Sequence, residues 1–146
     1  MGNDFEENWA TQVRKGVIEL CVLNALNGGR LYGYDIVRRL RELDGLVIAE
    51  GTVYPLLSRL KREKFVRTRL EESPHGPARK YYELTELGRR QLASMNDSWR
   101  RIAEGVAELQ RKERNDDVEQ RSTPASGTVS RGDTVVDARL RERRRG

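Results

Sequence analysis

Few side chains in this 146-residue sequence are equipped for covalent chemistry. It has one cysteine, Cys21, and one histidine, His75, too few for a zinc site or a thiolate–imidazole pair within one chain. Cys21 lies between Leu20 and Val22 in an apolar stretch and reads as a small core residue, and His75 reads as a loop residue. Neither a G-x-x-x-x-G-K-S/T nor a G-x-G-x-x-G stretch occurs, so phosphate cradles of those kinds are absent. No enzyme activity, cofactor or metal is therefore expected. What remains is the chemistry of hydroxyls and fixed cations, which suits a polyanion.

The placement of charge sharpens that reading. Residues 1–49 hold six Lys/Arg against seven Asp/Glu, and residues 81–111 hold five against five. Residues 50–80 hold eight against four, and Arg59 to Arg69 alone carries six cations against Glu63. A solvated charged face is the ordinary explanation of such a run, while clustering on one surface attracts nucleic acid.

The elements that must position these groups follow from periodicity. Apolar residues from Val13 to Asn27 predict a well-buried first helix, stopped by Gly28 and Gly29. Ile36, Val37, Leu40 and Leu43 recur at helical steps before Gly45 and predict a short second helix. In the third, Val53, Leu56, Leu57 and Leu60 form the apolar face, with Thr52 expected as N-cap and Pro55 tolerated in the first turn. Its opposite face presents Thr52, Tyr54, Ser58, Arg59, Lys61 and Arg62, with no carboxylate before Glu63. Hydroxyl and Arg/Lys groups near a helix start suit phosphates and base edges in a major groove.

After Lys64 the pattern turns extended. Phe65–Leu70 and Arg79–Leu84 predict a hairpin with a long tip from Glu71 to Ala78, placing Arg79 and Lys80 at its return edge. Three helices followed by such a hairpin make a winged helix-turn-helix, a mainly α (α+β) fold whose wing lies along the DNA backbone.

Thr85 is expected to cap a long helix running to about Arg111. Leu92, Met95, Trp99, Ile102, Val106 and Leu109 alternate steps of three and four, a seam over about 18 residues that calls for a partner. Burying six such side chains at roughly 1.5 to 3 kcal/mol each is enough to drive association, and a homodimer is the simplest partner. Folding of the helix back onto its own domain is the competing reading. Trp99 in the seam, with Met95 and Trp9, packs either as core or around a flat apolar ligand.

The stretches Gln12–Leu20 (QVRKGVIEL), Tyr32–Ile36 (YGYDI), Glu50–Leu60 (EGTVYPLLSRL) and Gly76–Gly88 (GPARKYYELTELG) resemble the PadR family of transcriptional regulators over about residues 10–110. The single seam helix is similar to the short subfamily, which includes the lactococcal multidrug-sensing repressor. The resemblance implies a homodimeric winged-helix repressor on an inverted-repeat DNA operator, released by a small aromatic or drug-like molecule. It also implies that a tryptophan of the last helix pairs across the dimer axis, a position matched by Trp99. The family's DNA contacts, from the start of helix three and the wing, map onto Thr52, Tyr54, Ser58, Arg59, Arg79 and Lys80, and Lys61 shares that face. A winged helix that binds protein rather than DNA is the alternative.

The expected organisation is an N-terminal arm (1–11), the DNA-binding domain (12–84), the dimerisation helix (85–112) and a disordered basic tail (113–146) with scattered apolar residues. Without an apolar run of about 18 residues or a signal-like start, a cytoplasmic location and no membrane partner are expected.

Overall fold

The computed structural model describes residues 2–122, in the order α1 (Gly2–Asn27), β1 (Leu31–Tyr32), α2 (Gly33–Arg41), α3 (Glu50–Arg62), β2 (Val66–Ser73), β3 (Gly76–Leu84) and α4 (Glu86–Ser122). The chain divides into two compact units, Met1–Arg101 and Ile102–Gly146, with α4 crossing from one to the other.

In the first unit one apolar core gathers a stripe from each element. Leu23 and Leu26 of α1, Ile36 and Leu40 of α2, and Leu57 and Leu60 of α3 are almost fully buried. Leu84 of β3 and Leu92 of α4 close the cluster. The three-stranded antiparallel sheet has the order β1–β3–β2, with Val66 opposite Leu84 at its base and Tyr82 opposite Thr68. In the second unit the described residues continue α4 through Ser122, and Ile102, Val106 and Leu109 along it are exposed.

This is the mainly α fold with a winged hairpin and a long last helix that the sequence predicts, but several boundaries differ. The first helix begins at Gly2, so the expected arm is helical. Its early residues include Glu6, Glu7, Ala10 and Gln12, good helix formers, and Asp4 favours the positive end of the helix dipole. Helix α3 begins at Glu50, before Thr52, and Ala49 takes the cap position without a side-chain bond. Thr52 lies in the first turn, its N–H donating to the Ala49 carbonyl at 3.0 Å. Pro55 stands further into the helix than a start at Thr52 would place it.

The wing also differs. Its strands extend to Ser73 and from Gly76, leaving Pro74 and His75 as the tip. Arg79 and Lys80 consequently stand within β3, opposite Glu71 and Leu70. Before α2, where the sequence patterning predicts no strand, the two residues of β1 pair with Tyr81 and Tyr82. The last helix continues past Arg111 to Ser122, so residues 113–122 are helical and not tail. That segment is poor in apolar groups, but Glu113, Arg114, Glu119, Gln120 and Arg121 are good helix formers, and helix propensity does not require a core. The rest of the expected basic tail lies outside the described residues.

Two junctions fix the site. Helix α3 ends in a left-handed residue, Lys64 (φ 65°), with Phe65 N–H donating to the Leu60 carbonyl and Lys64 N–H to that of Lys61, the double bond pattern of a Schellman turn. Thr85 then caps α4 as expected: its Oγ1 accepts from Gly88 N–H at 3.0 Å and donates to the Lys64 carbonyl at 2.6 Å. One hydroxyl thus ties the end of α3 to the start of the last helix. Gly88 is required there, since a Cβ on it would come within 2.0 Å of the Phe65 carbonyl oxygen.

Candidate nucleic-acid interface

Along α3, buried Val53, Leu57 and Leu60 turn Thr52, Tyr54, Ser58 and Lys61 outward, and all four are exposed. The start of this helix meets the wing in a niche of about 600 Å³ lined by Tyr32, Gly33, Tyr34, Tyr54, Tyr82, the two cations Arg79 and Lys80, and one carboxylate, Asp35, which pairs with Arg38 at 3.6 Å. Gly33 makes the close approach possible: a Cβ there would stand 2.9 Å from the Tyr54 ring and 3.3 Å from Tyr82. Arg79 lies 5.1 Å from the Tyr32 ring centroid and Lys80 5.9 Å from that of Tyr82, so both cations rest over tyrosine faces. Tyr32 and Tyr81 in turn stack with centroids 3.6 Å apart. A hydrogen bond with Tyr32 pushes the Tyr81 phenol up to about 12.

Four predicted residues are therefore presented by α3, and Tyr54 meets Arg79 and Lys80 in the niche. Among the described residues Lys61, Arg79 and Lys80 form no ion pair, which leaves their charge available to an external anion. Arg59 differs. Its guanidinium donates to Glu19 of α1 at 2.8 Å and to Glu63 at 3.1 Å, and these hydrogen bonds hold it more firmly protonated than usual. The expectation of a helix face free of carboxylates before Glu63 is thereby corrected: α1 brings Glu19 across to it. Periodicity assigns Glu19 to a helix but cannot show which neighbour it reaches.

Sequence reasoning also missed Tyr32, Tyr34 and Tyr82. The signal was present in the YGYDI and KYYEL stretches, but their convergence depends on β1 pairing with β3, and β1 is too short a strand to read from alternation.

On α4, Leu92 is only 2% exposed and belongs to the core of its own unit, so it does not stand in an open seam. Met95 packs against the same core. Trp99 is 43% exposed and lines a groove of about 510 Å³ with Cys21, Asn24 and Asn96, where the two asparagine side chains bond each other at 2.9 and 3.0 Å. Trp9 and Met95 do not line that groove, and Trp9 is exposed on α1.

The family model described as transcriptional regulator PadR-like matches residues 22–94, from the first helix through the wing to the start of α4. The chain belongs to the PadR-like family of transcriptional regulators. A PadR-like regulator of Bacillus cereus is 36% identical with a TM-score of 0.63, the match covering 68% of this chain and 96% of that one. A PadR family regulator of Eggerthella lenta is 29% identical with a TM-score of 0.65, over 74% and 94%. A PadR-like factor of Bacteroides fragilis is 39% identical with a TM-score of 0.58, over 70% and 98%. The similarity thus spans nearly the whole of those regulators and leaves part of this chain outside it. An uncharacterized protein of Lysinibacillus sphaericus is 25% identical over 96 residues, 64% of this chain and 88% of that one. These matches establish the family; the likeness to the lactococcal repressor rests on the sequence alone. PadR-like proteins are DNA-binding regulators of transcription and not enzymes. Among the described residues no helix is long and apolar enough to cross a membrane, and no cluster of three His, Cys, Asp or Glu is arranged to hold a metal ion.

Proposed function

We propose that this chain is a homodimeric repressor that sets Thr52, Tyr54, Ser58 and Lys61 of α3 into a major groove while Arg79 and Lys80 of the wing hold the adjacent backbone. The observation that carries this reading is the niche in which Tyr54 at the start of α3 meets two unpaired wing cations. Phosphate contacts from the wing fix register, and the helix reads base edges. Arg59 belongs to this interface as the residue that braces α3 against α1, reaching DNA only by exchanging one of its two carboxylates. The exposed apolar residues of α4, Trp99, Ile102, Val106 and Leu109, supply the dimer seam, and two copies of α3 at fixed separation call for an inverted-repeat operator. Release by a flat effector acts at Trp99, whose half-exposed indole borders the groove of about 510 Å³.

The test is selection of bound fragments from genomic DNA by the purified chain, with sedimentation run in parallel. The expected result is an inverted repeat bound by two chains. Ile102→Glu with Val106→Glu is expected to give a monomer that binds the same fragment far more weakly. Recovery of no enriched sequence, or dimers that survive both substitutions, would contradict the proposal.

A further inference from the structure

A second groove, of about 580 Å³, lies on the other side of α3, between α1 and the loop that joins α2 to α3. Its floor is aliphatic: Ile18 of α1, Val47 and Ile48 of the loop, and Pro55 and Leu56 of α3, with no aromatic ring among the lining residues. Val47 is 80% exposed although its neighbours in the groove are apolar, so the loop holds out a side chain that gains by being covered. Arg14 fixes that loop to α1, its Nε donating to the Gly45 carbonyl at 2.7 Å, where Gly45 takes a left-handed conformation (φ 82°).

The rim is cationic. Arg14, Lys15, Arg59 and Arg62 line the groove against one carboxylate, Glu19, and Glu19 is already bonded to Arg59. Arg14, Lys15 and Arg62 form no ion pair among the described residues. An aliphatic floor beneath three uncompensated cations is complementary to a molecule with an alkyl body and an anionic head. A neutral or cationic amphiphile lacks the second half of that match, and a flat ring finds nothing to stack on.

We propose that this groove binds a medium-chain aliphatic carboxylate, its chain on Ile18, Val47, Ile48 and Leu56 and its head against Lys15, Arg14 and Arg62. Occupancy sets a negative charge beside Thr52 and Arg62, on the flank of the helix assigned to DNA, so acid and duplex oppose each other's binding by the same factor. Only that coupling rests on the proposed function; the binding itself does not. The site is separate from the Trp99 groove, with which it shares no lining residue.

The test uses the full chain, isotope-labelled, titrated without DNA against decanoate, decan-1-ol and decyltrimethylammonium. Saturable binding of decanoate is expected, with amide shifts centred on Ile18, Val47 and Ile48 and weaker or no binding of the other two. Val47→Ser, at an exposed position, and Lys15→Gln are each expected to weaken decanoate by about tenfold or less, roughly 1.4 kcal/mol at most, without disturbing the rest of the spectrum. Equal binding of all three probes, shifts centred on Cys21 and Trp99, or affinity unaffected by both substitutions would overturn the site. With the site supported, duplex affinity that decanoate leaves unchanged would overturn the coupling, and failure of the apo protein to bind duplex would count against the repressor reading alone.

Discussion

At the scale of single residues, the interface depends on side chains placed by close backbone approach. Gly33 is the sharpest case, because it lets Tyr54 and Tyr82 close over the start of α2. Gly33→Ala is expected to displace the Tyr54 ring, which can rotate away, so duplex affinity should fall severalfold while the melting temperature shifts by only a few degrees; anisotropy titration and thermal unfolding check both. Gly88 differs because a Cβ there meets rigid backbone at Phe65. Gly88→Ala is expected to cost at least the 1 to 3 kcal/mol of an overpacked core, read from urea unfolding. Arg59 shows the limit of reading residues one at a time. Its type and face were legible, but its engagement by Glu19 was not, since that bond spans 40 positions of sequence.

At the scale of elements, the helices were legible where an apolar stripe marks them and obscure where it does not. The first ten residues of α1 and the last ten of α4 carry few buried groups, so periodicity is silent there and propensity alone extends the helix. The wing was underestimated for a related reason. Its outer half is solvated and held by backbone pairing, while burial is confined to Val66, Tyr82 and Leu84 near its base, where cross-strand charge adds to the pairing. Arg67 Nε donates to Glu83 at 2.6 Å, and this bond holds the Glu83 carboxyl below the usual carboxylate range. Because the folded-state value is depressed, the contribution is fully present above the ordinary value of about 4.3 and fades as pH falls through the lower folded-state value. Glu83→Gln is therefore expected to lower the urea midpoint near neutral pH, with the difference from the parent chain shrinking in strongly acidic solution. A difference that persists unchanged to acid would show that the charge of Glu83 is not what matters. The junction between α3 and α4 is similarly local: Thr85→Ala removes the cap on Gly88 and the tie to Lys64, and should cost about 1 kcal/mol, measurable by the same denaturation.

At the scale of the whole molecule, the order of elements and the ordered motifs were enough to reach the family, because a winged helix is specified by short-range patterns repeated in sequence order. What the sequence left open is how distant segments share a face: the tyrosine niche needs β1 on β3, and the cationic rim of the second groove needs α1 beside α3. The central claim is that the outward face of α3 and the wing together grip duplex DNA through fixed cations. Its most direct test is the dependence of duplex affinity on salt for the parent chain and for Lys61→Ala combined with Arg79→Ala. A steep linear fall of log affinity with log salt is predicted for the parent, and a slope shallower by roughly 0.9 for each phosphate that the variant no longer neutralises, with sedimentation and folding unchanged. A variant with the parent's slope and affinity would contradict the claim.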